Sequence, residues 1–403
     1  MFSYPTPFTP PTTEDDRLSW LRLIRSRRVG VVTFWRLLEE HGTARAALLA
    51  LPEIAAAAGA DNYAICPEGV VLAECKAGKS AGARLLCRGE PAYPQALADL
   101  PDAPPVLWVR GDTSLFARPM VALVGARSAS SLGTRMARKL AADLGAAGVT
   151  VVSGLARGID TAAHLAALPT GTVAVLAGGV DVIYPAENTT LAGDIAARGL
   201  LISEQPMGLE PMARHFPLRN RIISGVARGT VVVEAAMQSG SLITARTALD
   251  QGREVLAVPG HPFDARASGC NMLIRDGATL VRGAEDVIAA LGLGNDLPAQ
   301  RDLPLAPAEP ERHPAASPAK QPVSAEAKPA GKTRGVTDLT PDLRSAAALH
   351  ARILDRIGPS PLAEDQLIRD LGLPSQHVAP ALVSLELEGQ ILRQPGGLLS
   401  RAV

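Results

Sequence analysis

Between residues 104 and 290 the chain repeats one unit: a short apolar run, a glycine- or serine-rich turn, and a stretch of helical pattern. Apolar runs lie at 106–109, 120–124, 149–152, 173–176, 200–202, 231–233 and 255–258. Helical stretches at 135–144, 162–167, 191–197 and 242–251 separate most of them. Strands apolar at nearly every position, rather than at every second one, are buried on both faces. Alternating with helices, they predict a mostly parallel sheet covered on both sides, an α/β doubly wound domain of Rossmann-like type spanning residues 83–293.

The flanks follow other patterns. After a tail at 1–16, residues 17–82 carry helical periodicity (Leu18, Leu21, Leu23, Ile24, then Trp35, Leu37, Leu38) broken by turns at Gly30 and Gly42. This predicts a small helical module of helix-hairpin-helix or SAM-like type. Residues 294–340 are rich in Pro and Ala, too poor in apolar surface to order themselves, and read as a disordered linker. Residues 341–403 suggest helices at 347–357, 364–371 and 375–388 and a terminal hairpin turning at 395–397, a winged-helix-like domain. Its third helix carries no Lys or Arg and ends acidic, so a structural or protein-contact role fits it at least as well as a nucleic-acid role.

The 403 residues carry a formal net charge of zero. Charge placement therefore informs more than its sum. From 211 to 233 there is no acidic residue, yet Arg214, Arg219, Arg221 and Arg228 all fall there beside Phe216, in a chain whose aromatics make up 3%. Guanidinium forks suit phosphate and an aromatic face suits a stacked base, so the segment reads as a polyanion site, for single-stranded nucleic acid above all. Three turns point the same way: 125–130 with Arg127, 153–160 with Arg157, and 238–241. In a parallel sheet such turns gather at the carboxyl edge, where helix N-termini favour anions.

Other chemistries fit less well. The first turn lacks G-x-G-x-x-G and the second strand ends without a ribose-binding carboxylate, which disfavours a dinucleotide. Gly78-Lys79-Ser80 and Gly331-Lys332-Thr333 imitate the end of a P-loop, but Ala73 and Glu326 stand where its first glycine belongs. Asp160 and His164, or Asp181 and Glu187 around Tyr184-Pro185, offer acid/base groups. The plainer reading makes Asp160 a cap of a helix starting at Thr161, with His164 on the same face. One of Arg219 and Arg221 is expected to pair with Glu234 or Glu204, and Ser239 and Thr244 have the character of helix caps. Cys66, Cys75, Cys87 and Cys270 form no metal or disulfide pattern, so a reducing compartment and no metal site are expected. Without a signal segment or a membrane-length apolar run, a soluble cytoplasmic protein is expected.

Six motifs in order give the chain a family resemblance: 124–127 (VGAR), 153–164 (SGLARGIDTAAH), 184–188 (YPAEN), 216–225 (FPLRNRIISG), 232–245 (VVEAAMQSGSLITA) and 258–260 (VPG). Over residues 85–290 they resemble the DNA-processing protein A family, DprA or Smf. The resemblance implies an extended Rossmann-like domain with no nucleotide cofactor and no enzymatic activity. It also implies a homodimer that binds single-stranded DNA during natural transformation, protects it and loads the recombinase RecA. Carried over by motif, the DNA contacts are Gly125, Arg127, Ser128, Arg157, Phe216, Arg219, Asn220, Arg221, Ser239 and Gly240, and the dimer contact is expected near Asn271, Ile274 and Leu280. Ala177 and the pair Val226-Ala227 depart from the common family pattern without removing a charged or aromatic contact. The alternative is a nucleotide- or phosphoribosyl-processing enzyme using Glu234, although no P-G-G-x-G-T loop accompanies that residue. A purely structural adaptor would leave the basic cleft without a use.

Overall fold

Three aromatic rings close the core of the first helical unit, and their spacing follows from two amphipathic helices. In this computed structural model, which describes residues 10–59, 62–295, 343–358, 361–394 and 398–401, the unit comprises α1 (Glu14–Arg25), α2 (Val31–His41), α3 (Ala44–Ala57) and α4 (Glu68–Ser80). A capping box starts α1: the Thr13 hydroxyl accepts from the Asp16 N–H at 3.1 Å and the Asp16 carboxylate accepts from the Thr13 N–H at 3.2 Å. Trp20, Phe34 and Trp35 then meet edge to face with centroids 5.0 to 5.6 Å apart. Buried Glu74 fastens the unit to the sheet, pairing with Arg25 at 2.8 Å and accepting from the Trp108 indole N–H at 2.7 Å.

The central domain runs β1 (Arg84–Cys87), α5 (Gln95–Ala98), β2 (Val106–Gly111), β3 (Met120–Val124), α6 (Ser131–Ala146), β4 (Thr150–Ser153), α7 (Ile159–Ala167), β5 (Thr172–Val175), α8 (Thr189–Arg198) and β6 (Leu200–Ser203). It continues through α9 (His215–Val226), β7 (Gly229–Val232), α10 (Gly240–Asp250), β8 (Glu254–Ala257), α11 (Ser268–Arg275), β9 (Thr279–Leu280) and α12 (Ala284–Ala290). The nine strands form one sheet in the order β1-β2-β6-β5-β4-β3-β7-β8-β9. Seven are parallel to their neighbours from β6 to β9, as the apolar pattern predicts, while β1 and β2 run antiparallel. Continuous apolarity at 106–109 therefore reports burial on both faces and not strand direction. Strands β1 and β9 are short and partly exposed, and left no clear apolar run to read.

The chain walks outward from β3 to β6, then returns to place β7 on the other side of β3. That reversal opens a crevice at the carboxyl ends of β3, β4 and β7, where a doubly wound sheet receives its ligand.

The C-terminal domain comprises α13 (Leu343–Arg356), β10 (Leu362–Ala363), α14 (Glu364–Leu371), α15 (Ser375–Leu387), β11 (Ile391–Gln394) and β12 (Leu398–Arg401), a three-helix winged helix with sheet order β10-β12-β11. Ile353, Leu367, Leu382, Leu385 and Leu399 are its fully buried centre. The linker expected at 294–340 lies almost wholly outside the described residues. Among those described, no helix is long and apolar enough to cross a membrane.

Candidate nucleic-acid interface

The turns that follow β3, β4 and β7 are tied to one another by their backbones. The Ala126 N–H donates to the Glu234 carbonyl at 2.7 Å, and the Ile159 N–H donates to the Ala126 carbonyl at 3.2 Å. This closeness requires glycine at 125: a Cβ there would stand 2.6 Å from the Ile159 side chain. Buried Glu234 accepts from the Ser130 N–H at 2.9 Å and from the Ser130 hydroxyl, so its carboxylate caps the start of α6. Burial raises its pKa above the usual carboxylate range, opposed by those two bonds.

The second turn is held in an unfavourable conformation by the helix after it. Leu155 is fully buried with φ 55°, a left-handed value rare for a leucine. The Asp160 carboxylate accepts from the N–H groups of Gly154 at 3.0 Å and Ala156 at 3.4 Å. His164 Nε2 accepts from the Leu155 N–H at 3.4 Å, which leaves Nδ1–H to donate to the Thr172 hydroxyl at 2.9 Å. Asp160 is thus inside α7, whose cap position is Gly158, and it caps the turn rather than a helix starting at Thr161. The pair Asp160 and His164 builds the loop.

Burial pushes the His164 pKa down to about 3, with Arg219 acting in the same direction. A depressed histidine gives stability that is fully present above its unfolded pKa of about 6.5 and is lost as pH falls toward the folded value, at about 1.4 kcal/mol per pH unit. The raised carboxyls Asp160, Glu204 and Glu234 act in the opposite sense, so the histidine is isolated by comparison. Urea unfolding between pH 7.5 and 5 is expected to show a steeper acid loss of stability in the wild type than in His164→Leu. Equal slopes would refute a neutral buried imidazole.

The middle of the acid-free segment forms helix α9, a helix that the sequence pattern did not announce. Pro217 is tolerated because it lies in the first turn, where backbone N–H groups have no helical acceptor. Phe216 and Arg219, three apart, share a face. The Phe216 ring lies 5.2 Å from the Arg127 guanidinium, 6.0 Å from that of Arg219 and 5.9 Å from the Tyr184 ring. Arg219 is 6% exposed and runs under Gly154, where a Cβ would fall 1.6 Å from its Nη1. That nitrogen donates to the Val175 carbonyl at 3.0 Å, while buried Nε–H has no acceptor among the described residues. Burial lowers its pKa to about 10, opposed by the Asp160 charge, so it stays cationic at neutral pH.

Arg221, expected among the DNA contacts, lies elsewhere. Two residues from Arg219, it points to the other side of α9, where it pairs with Glu204 and donates to the Asp102 carbonyl at 2.7 Å. It belongs to the body of the fold and does not reach the cleft, and it is the arginine of the two that takes a carboxylate.

The remaining candidates converge. An open cleft of about 770 Å³ is lined by Gly125, Arg127, Ser128, Phe216, Arg219, Asn220, Ser239 and Gly240. Arg127 is exposed and makes no ion pair among the described residues, and Ser239 caps α10. Arg157 lines an adjoining cavity of about 50 Å³ with Tyr184 and Phe216 and is held by Glu187 at 2.7 Å. Sequence reasoning left Tyr184 and Arg266 off this surface. Tyr184 lies in the motif at 184–188, whereas nothing local marks Arg266. Asn271 and Ile274 lie in α11 and Leu280 on edge strand β9, on the far side of β8, with Asn271 engaged to the backbone of Gly260 at 3.1 Å. Among the described residues no cluster of His, Cys, Asp and Glu could hold a metal.

Three family models match the chain. They are DNA recombination-mediator protein A over residues 84–292, a DprA-like N-terminal HHH domain over 14–77, and a DprA winged helix domain over 337–397. The chain is 46% identical over 199 residues to DNA processing protein DprA of Streptococcus pneumoniae, covering 49% of this chain and 70% of that protein. It is 36% identical over 308 residues to protein Smf of Escherichia coli, covering 76% and 74%. The solved structure of the S. pneumoniae DprA aligns with a TM-score of 0.54 at 36% identity, covering 65% of this chain and 98% of that one.

Proposed function

The chain belongs to the DNA recombination-mediator protein A family, and from that premise we propose that its cleft binds single-stranded DNA. The observation that carries this reading is one group of side chains: the Phe216 ring near the Arg127 and Arg219 guanidiniums, at the switch point of the sheet. Phosphates meet Arg127 and the turn around Ser128, and a base stacks at Phe216 and Tyr184. Such contacts tolerate any sequence, because a ring face and a phosphate are common to all nucleotides. The family description supports a recombination role, in which the protein protects incoming strands and loads RecA during natural transformation. Homodimerisation through α11 and β9 completes the proposal, supported by the exposed edge at Leu280. The reading includes no catalytic step. Glu234, the carboxylate an enzyme would use, is committed to Ser130 at the start of α6.

Fluorescence anisotropy of labelled oligo-dT and of its duplex, titrated at several salt concentrations, tests the proposal. Tight single-strand and weak duplex binding is expected, with a log–log salt slope of about −0.7 per phosphate contact. Equal binding of both, or none at low salt, would overturn it. Glu187 sharpens the test, since its exposed ion pair holds Arg157 away from a strand. Such a pair is worth about 0.2–1 kcal/mol, so Glu187→Gln is expected to raise affinity by roughly 1.4- to five-fold. Unchanged or weaker binding would remove Arg157 from the interface.

A further inference from the structure

The winged helix rests against the rim of the same cleft. Arg266 is paired with Asp264 at 3.1 Å and also donates to the backbone carbonyls of Asp355 and Ile357, the latter at 3.3 Å. These carbonyls stand at the C-terminal end of α13, where a helix carries partial negative charge and free acceptors. Arg356 donates to the Thr134 hydroxyl at 3.4 Å, in the first turn of α6. Asp355 and Arg266 line the cleft together with Arg127, Phe216 and Ser239.

The docked domain therefore offers the cleft what a polyanion would offer: carbonyl oxygens and a carboxylate beside guanidinium groups. It brings little in return, because α15, the helix that could lie along a nucleic acid, contains no Lys or Arg. The contact is also thin. The apolar core of the winged helix does not continue into the cores of the central sheet, and a few hydrogen bonds of modest net strength are within reach of displacement by several phosphates.

We propose that the winged helix is an autoinhibitory latch: docked through the end of α13, it competes with single-stranded DNA for the cleft and is displaced when a strand binds. The inference rests on the cleft being the DNA site.

The test uses full-length chains. Thr134→Trp puts bulk in the docking contact without altering a cleft-lining residue, and Arg356→Ala removes the hydrogen bond from the other side. If the latched form holds about nine-tenths of the molecules, release raises apparent affinity for labelled oligo-dT about ten-fold. Arg356→Ala is informative in sign, because losing a positive charge would weaken binding if the domain touched DNA directly. Small-angle scattering gives a second readout. The radius of gyration is expected to grow when the wild type is saturated with oligo-dT, and to be already enlarged in Thr134→Trp alone. Wild-type affinity or weaker in both variants, or no growth on saturation, would overturn the latch and leave the cleft as the DNA site. Failure of the wild type to bind oligo-dT would overturn both.

Discussion

Arg219→Ala is expected to lower the free energy of unfolding by roughly 1–3 kcal/mol and to abolish single-strand binding. The stability loss arises in part because Arg219 is the cation that offsets the buried Asp160 charge, without a direct ion pair, so its removal leaves that carboxylate with its turn amides alone. It also empties the space under Gly154 and loses the bond to the Val175 carbonyl. Binding is lost because Arg219 itself and Ala156, in the turn that Asp160 holds, line the cleft. Urea unfolding of Arg219→Ala, Asp160→Asn and the double variant checks the argument. The double variant is expected to be clearly less unstable than the sum of the two singles, since each single strands the other partner. Additive losses would mean that the two side chains do not sense each other.

Arg127→Ala separates function from stability. Its side chain is exposed and pairs with no carboxylate among the described residues, so the melting temperature is expected to stay within about a degree or two of wild type, as for a surface substitution. Affinity for oligo-dT is expected to fall about ten- to hundred-fold through loss of a charge-assisted phosphate bond and of the guanidinium over Phe216. The salt slope should shrink by about 0.7, the mark of one lost phosphate contact. Weaker binding with an unchanged salt slope would assign Arg127 to ring positioning alone.

Much of this architecture is legible in the sequence because the chemistry is local. The seven apolar runs fall on strands since each is covered on both faces, and three glycine- or serine-rich turns predict a shared edge since parallel strands end together. What escapes is what depends on direction or on distant partners. The run at 106–109 is as apolar as its neighbours yet runs antiparallel, because burial by the N-terminal helices leaves the same composition. Helix α9 is hidden by Pro217, and without it the two-residue spacing of Arg219 and Arg221 cannot be read as opposite faces. Only the fold reveals that one lines the cleft and the other holds Glu204. Asp160 looks like a cap of its own helix, and its real partners are the amides of a strained turn before that helix. Arg266 carries no local signal, since its contacts lie 89 and 91 residues further along the chain.

The central claim is that one cleft at the sheet's switch point holds the strand, with a base at Phe216. Photo-cross-linking of the full chain to oligo-dT carrying single 5-iododeoxyuridines, followed by peptide mapping, tests it most directly. The account predicts adducts on the peptides containing Phe216 or Tyr184, lost in Arg219→Ala. Adducts confined to the winged helix or to the N-terminal helical module, with none in the cleft, would contradict it.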